Sequence, residues 1–320
     1  MSSHTHSKIV VFGGSGFIGR YVVKRLAALG AVIAVPTRNV EKAKFLRTFG
    51  DVGQIAPIAC EISNEASLRA VIKNADAVIN LPGILFESGK SKFDSVHHKI
   101  PMNIAAISRE CGVKTLVHIS AIGADENSNS AYARSKAKGE RAVAREYSGA
   151  VILRPSIVFG PEDNFFNLFA GMAQLFHMLP LIGGGQTKFQ PVYVGDVADA
   201  VVAAIFNDAA RGKIYELGGP KIYTFAELMQ IMLRQTGQKA CLISVPFWWA
   251  KVKAAFLQLM PRPLLTIDQV RMLEKDNLVG GSVLKLKDLG ITPTALEVIL
   301  PSYLDRYKTG GRMGNTDQAA

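Results

Sequence analysis

The sequence predicts an α/β fold, a doubly wound parallel sheet with a smaller C-terminal cap. Three observations predict it. Short β-branched runs alternate with helical patterns through the first half; a glycine-rich turn joins the first run to the first helix; beyond about residue 155 the rhythm changes to longer helices with isolated strands between them. Strands separated by helices of this length need crossover connections, so the sheet is expected to be mostly parallel and covered on both faces.

The elements follow in chain order. "KIVVF" is the first strand and leads to a helix from about Phe17; "AVIAV" is the second, with a helix near 41–49 after it. "IAPIAC" leads to a helix near 65–73, "DAVINL" to one near 99–111, and "TLVHIS" to one near 131–147, before the strand "AVILRP". In the second half "NFFNLFAGMAQLF" and "DVADAVVAAIF" read as helices, and "KFQPVYV" and "KIYELGG" as late strands, a few of which return to the main sheet. The expected organisation is a core at 1–155, a cap region at 156–307 and a polar, glycine-rich flexible tail at 308–320.

Composition narrows the function classes. With 37 Lys and Arg against 26 Asp and Glu, the net charge of +11 suits an anionic ligand, an acidic partner or an anionic membrane surface. The basic residues are scattered, with no basic run interleaved with stacking aromatics, which argues against nucleic acid. Cys60, Cys111 and Cys241 lie far apart, suggesting neither a disulfide framework nor a zinc site and fitting a reducing compartment. The opening "MSSHTHS" has neither the apolar run of a signal peptide nor the arginines of a transit sequence, so the mature chain is expected to start near Met1. Lysines break the longest apolar stretch, 247–260, well short of the roughly 18 residues of a spanning helix, so the expectation is a soluble or peripheral protein.

"VVFGGSGFIGR" places Gly13, Gly16 and Gly19 after the first strand and at the opening of the first helix. Glycine lets the backbone turn sharply against a pyrophosphate, and the helix N-terminus supplies free N–H donors and a positive dipole end. The segment Gly13, Gly14, Ser15, Gly16, Phe17, Ile18, Gly19 is therefore the candidate phosphate loop, and the core reads as a dinucleotide-binding Rossmann-type domain. After the second strand, where an acid would accept hydrogen bonds from the adenosine ribose, Arg38 stands in "PTRN". A guanidinium there pairs with the 2′-phosphate of NADP(H), with Lys42 or Arg20 as helpers; the other reading is a solvated surface arginine. Glu61, after the third strand, is either an adenine-edge contact or an ordinary loop acid.

In "SAYARSKAKGE", Tyr132 and Lys136 are four apart and share a helix face. A nearby ammonium favours the tyrosinate, making Tyr132 a candidate proton donor and acceptor, while Lys136 also bonds the nicotinamide ribose. Ser120 ends the strand "TLVHIS", where parallel strands meet the cofactor crevice, and would hold a substrate carbonyl. The other reading is a solvated tyrosine and lysine on a helix surface. No metal is assigned: His97 and His98 are adjacent and their side chains diverge, and His118 reads as a core or crevice-wall residue. The segment "VPFWWAKVKAAFLQLMPRPLL" reads either as a core helix of the cap or as a membrane-surface or partner-facing helix with lysines for lipid headgroups.

Taken together, "VFGGSGFIGRYVV", "TRN", "AVINLPGIL", "HISAIGA", "YARSKAKGE", "ILRPSIVFGPEDNFFN" and "QPVYVGDVADAV" resemble the atypical, extended-like short-chain dehydrogenases/reductases, over nearly the whole chain. Within that group the sequence is similar to the accessory subunits of respiratory complex I that hold NADPH tightly. The resemblance implies that Leu81, Pro82, Gly83 and Pro155 join the cofactor contacts, and that the nucleotide is structural. It further implies complex I partners near the junction of the peripheral and membrane arms, contact with anionic lipid headgroups, and a place on the cytoplasmic side of a bacterial inner membrane, equivalent to the mitochondrial matrix side. Glu61 departs from the wider pattern, which has aspartate there. The alternative function is a free NADPH-dependent reductase or epimerase acting on a carbonyl or quinone-like substrate through Ser120, Tyr132 and Lys136.

Overall fold

The computed structural model describes residues 7–89, 91–260 and 263–308. The tail expected from 308 onward lies, after Lys308, outside the described residues. The chain divides into two compact units, one running up to Pro155 with Val194–Leu217 and Gly281–Thr292, the other made of Ser156–Tyr193, Gly218–Gly280 and the chain from Pro293 on.

The first unit is built on an eight-stranded sheet. Its leading strands are β1 (Lys8–Phe12), β2 (Val32–Thr37), β3 (Ile55–Ala59), β4 (Ala77–Asn80), β5 (Thr115–Ile119) and β6 (Val151–Pro155). The order across the sheet is Leu284–Lys285, Ile214–Leu217, β6, β5, β4, β1, β2, β3, and all the pairings are parallel. Ile9 to Phe12, Ala77 to Asn80 and Thr115 to Ile119 are buried throughout, because helices cover both faces of these central strands. The strand order reverses between β1 and β4, and a crevice outside the carboxyl ends of two strands at such a switch point is where this architecture binds ligands.

The helices of this unit are α1 (Phe17–Ala28), α2 (Val40–Ala43), α3 (Glu65–Ile72), α4 (Ile100–Glu110) and α5 (Ala131–Glu146). Side-chain oxygens cap three of them: Asn39 accepts from Lys42 N, Asn64 from Ser67 N and Ser130 from Ala133 N. The helix expected near 41–49 is instead one short α-helical turn continued by a 3₁₀ helix, Lys44–Phe49. Its buried residues, Ala43 and Leu46, are three apart, the spacing that a 3₁₀ turn aligns. The helix expected near 99–111 begins earlier, with a π-helical segment, Asp94–Lys99, running directly into α4. Later chain closes the unit: the helix Val194–Phe206 packs on α1, where Asp199 pairs with Arg25, and Arg154 of β6 makes a two-pronged bond to Glu140 of α5 at 2.9 and 2.6 Å and reaches Glu216.

The second unit packs the helices Phe166–Phe176, Phe225–Thr236 and Leu296–Leu304 around an aromatic cluster of Phe165, Phe169, Phe189 and Phe225. Asp163 organises its first loop, accepting bonds from Tyr303 Oη at 2.6 Å and from the backbone N–H groups of Gly160, Phe165 and Asn167. The expected strand "KFQPVYV" divides into Lys188–Phe189 and Val192–Tyr193, since Pro191 between them has no N–H for a ladder. The segment 247–260 buries one side and leaves the other exposed: Ala250 and Ala254 join a core cluster with Ile182 and Val270, and Phe247 packs against it. In the helix Phe247–Leu257 only Ala250 and Ala254 are buried, while Trp248 is 67% and Phe256 72% exposed. The packed stripe of Phe247, Ala250 and Ala254 occupies one side of the helix, and the large apolar residues on the other side stay exposed.

Candidate nucleotide site

The glycine loop is shaped for close approach. Gly13 has φ +76°, a left-handed conformation that only glycine adopts at little cost, and Gly16 N–H donates to its carbonyl at 2.9 Å. A Cβ on Gly19 would overlap the Gly13 carbonyl oxygen and lie 2.6 Å from Gly14 Cα, so a side chain would wedge α1 away from β1. Gly16 is the N-cap of α1, with no side-chain hydrogen bond closing the end and no acid in the first turn. The leading N–H groups, with Ser15, Phe17 and Ile18 around them, face the strand-end crevice with a positive dipole end and suit an anion.

Arg38 is exposed directly after β2, and no hydrogen bond or ion pair to it is found among the described residues. Of its expected helpers, Arg20 lies over the Phe45 ring at 5.2 Å and bonds the Gly16 carbonyl, while Lys42 is exposed on α2. Glu61 is exposed too, and its carboxylate accepts from Ser63 Oγ at 2.6 Å, closing its own turn.

Lys136 is 3% exposed, and its ammonium donates to the Ile119 carbonyl at 3.2 Å, at the end of β5 beside Ser120. Burial pulls its pKa down to about 8, with Glu140 one turn away opposing the shift. Ser120 is 3% exposed, and its N–H donates to Leu153 of β6; its hydroxyl has no hydrogen-bond partner among the described residues. A buried, unpaired hydroxyl at the strand-end crevice is costly without a ligand atom to bond, which fits a cofactor or substrate there. Gly83 follows β4 with Leu81 and Pro82, and a Cβ on it would stand 3.4 Å from Lys136 Nζ. Pro155 closes β6, its carbonyl accepting from Ile122 N–H.

At Tyr132 burial sets the direction of the shift. Burial pushes the phenol up to about 12, because the tyrosinate loses its water, so the group is held protonated near neutrality.

A family model described as NAD dependent epimerase/dehydratase family matches residues 9–218, a span that contains all of these groups. The chain belongs to the NAD dependent epimerase/dehydratase family. It is 38% identical to the mitochondrial NADH dehydrogenase [ubiquinone] 1 alpha subcomplex subunit 9 of Arabidopsis thaliana, over 94% of this chain and 78% of that protein. The Mus musculus protein of the same name is 34% identical, over 93% of this chain and 80% of its own length. Among solved structures, dTDP-glucose 4,6-dehydratase from Streptomyces venezuelae with NAD and TYD bound is similar, with TM-score 0.71, 22% identity, and 94% and 96% of the two chains covered. At that identity the likeness speaks for the fold.

As a member of the epimerase/dehydratase family, the chain has a nicotinamide dinucleotide as the ligand class of its glycine loop, and the cradle, uncapped helix and orphan serine fit it. The structure adds residues that the sequence reading left without a role. Asn80 Nδ2 and His118 Nδ1 lie 2.9 Å apart across the β4–β5 register, both fully buried. His97 turns inward to the backbone of Ile84 and to Ser135, whereas His98 pairs with Asp94 at the surface. The adjacent histidines therefore separate, and no signal short of the π-helical turn distinguished the buried one.

Proposed function

We propose that this chain is an NADPH-holding accessory subunit of respiratory complex I that stabilises the junction of its peripheral and membrane arms, the nucleotide being structural rather than turned over. The observation that carries the reading is similarity to named complex I subunits over 93–94% of the chain, spanning both compact units. Arg38, exposed where the adenosine ribose would lie, supports NADPH over NADH, because a guanidinium pairs with a 2′-phosphate. A ligand bound only by the folded state adds stability by mass action, about 2.7 kcal/mol at a hundredfold excess over Kd. The subunit would sit peripherally on the cytoplasmic face of a bacterial inner membrane; among the described residues no helix is long and apolar enough to cross one. The exposed Trp248, Trp249 and Phe256, with Lys253 over the Trp249 ring, support contact with anionic lipid headgroups.

Mass spectrometry of the gently isolated native protein tests this. Complex I subunits and NADPH are expected to travel with the chain. Its absence from complex I, with assembly unchanged on deletion, refutes the proposal. A second reading, a free NADPH-dependent reductase or epimerase, is favoured by the bond from Lys136 to the strand end that carries Ser120, one helical turn from Tyr132. On that reading Tyr132→Phe abolishes NADPH oxidation by carbonyl or quinone substrates and spares most cofactor binding; no oxidation by the wild-type protein counts against it.

A further inference from the structure

We propose that His97 is a positioning residue of the nucleotide site, an imidazole strut that fixes the loop after β4 to the helix carrying Tyr132 and Lys136 and so sets the crevice at the nicotinamide end. The inference rests on the nucleotide reading above and extends it to a residue outside the glycine loop, Arg38 and the Ser120, Tyr132 and Lys136 set.

Hydrogen-bond chemistry dictates the strut. Ile84 N–H donates to His97 Nε2 at 3.0 Å, so that nitrogen carries a lone pair. In a neutral imidazole the proton then sits on Nδ1, which lies 2.9 Å from Ser135 Oγ and donates to it. Ser135 Oγ, its lone pair used, donates its own proton to the Tyr132 carbonyl at 2.7 Å. One continuous chain of donors therefore runs from the loop backbone through the imidazole and a serine to the backbone of Tyr132. Burial, with Lys136 and His118 nearby, pulls the His97 pKa down to about 2, which keeps this single-proton arrangement in place at neutral pH.

Packing leaves the ring little freedom. His97 is 1% exposed, stacks on Phe93 at 5.4 Å and meets the Tyr132 ring edge-on at 5.3 Å. A Cβ on Gly83 would come within 3.7 Å of Nε2 and 3.4 Å of Lys136 Nζ, so the loop, the imidazole and the ammonium converge on one spot. Behind the ring, Gly139 lets α5 lie directly on the His97 carbonyl. The residue stands on the π-helical segment Asp94–Lys99, a distortion that recurs at functional sites.

The test titrates the purified full chain with NADPH and, separately, with the same molecule lacking nicotinamide, 2′-phospho-ADP-ribose. In His97→Phe, NADPH affinity is expected to fall about tenfold, equivalent to about 1.4 kcal/mol, while the nicotinamide-free ligand stays within about twofold. His97→Gln, whose amide oxygen reaches the Nε2 position, is expected to recover most of the loss, and Ser135→Ala, a smaller change for the fold, to reproduce part of it. Equal weakening of both ligands, or no weakening in either His97→Phe or Ser135→Ala, overturns the strut. Nitrogen NMR of the wild type is expected to show a neutral ring protonated on Nδ1; an Nε2–H ring overturns the proposal whatever the variants do. Failure of the wild type to bind either ligand defeats the nucleotide reading instead and leaves the strut to be decided by that tautomer.

Discussion

Replacing Gly139 by alanine sets two effects of known size against each other. In the interior of an exposed helix, alanine is favoured over glycine by about 1 kcal/mol. At this position a Cβ would overlap the His97 carbonyl oxygen and lie 3.0 Å from its carbonyl carbon, against the roughly 3.5–4.0 Å at which carbon atoms rest. Both obstructing atoms are backbone, so α5 and the π-helical segment must separate, and overpacking of this kind costs about 1–3 kcal/mol. At the upper end, which rigid backbone makes the appropriate one, the net loss is about 2 kcal/mol. Gly171 supplies the control: it too lies inside a helix, Phe166–Phe176, and a Cβ there meets nothing within 4 Å. The same substitution at Gly171 should therefore stabilise by about 1 kcal/mol, leaving the two variants about 3 kcal/mol apart. Native-state hydrogen exchange of the helix amides reads each change within its own unit. A Gly139→Ala chain as stable as the wild type, or two variants shifting together, refutes the packing argument.

Three further outcomes are expected. Arg38→Ala should weaken NADPH binding by about tenfold to a hundredfold, as loss of a charge-assisted hydrogen bond implies, and leave NADH binding unchanged in calorimetry; equal loss for both would remove Arg38 from cofactor choice. His97 and His118 have folded pKa values pulled down to about 2 and about 3 from 6.5, so the unfolded chain binds more protons and stability is lost as pH falls below about 6.5. The slope between pH 6.5 and 5 should approach about 2.7 kcal/mol per pH unit for the two groups, and His118→Gln should halve it; a flat urea-unfolding profile in that window refutes the assignment. Trp248→Gln with Phe256→Gln should change stability by less than about 0.5 kcal/mol, because both side chains are largely exposed, while weakening binding to vesicles of anionic phospholipid in a flotation assay. Unchanged flotation would detach this helix from the lipid surface.

The features legible in the sequence were those that depend on neighbours along the chain. Apolar runs separated by helical patterns specified a parallel sheet, and the glycines at 13, 16 and 19 marked the turn into α1 without reference to any distant residue. Tyr132 and Lys136 share a face because they are one turn apart, and Ser120 stands at a strand end because the strand ends there. The segment near 41–49 was legible as helical chain, 40–49, while its 3₁₀ continuation from Lys44 was not, because its buried residues Ala43 and Leu46 are three apart, a spacing that both helix types place on one face.

Local order along the chain thus determined the fold class and marked the candidate phosphate loop and the candidate set of Ser120, Tyr132 and Lys136. Tertiary structure alone decided the electrostatics of that set and who supports it. Burial, a property of everything packed around a group, pushed Tyr132 up and Lys136 down, where pairwise reasoning had the lysine activating the tyrosine. It also turned His97 rather than His98 inward, through partners 13 and 38 residues away, and left the tryptophans of Phe247–Leu257 outside while Phe247, Ala250 and Ala254 of the same helix packed on a core cluster. Water is removed from a side chain by the whole fold, and no spacing of residues encodes that quantity.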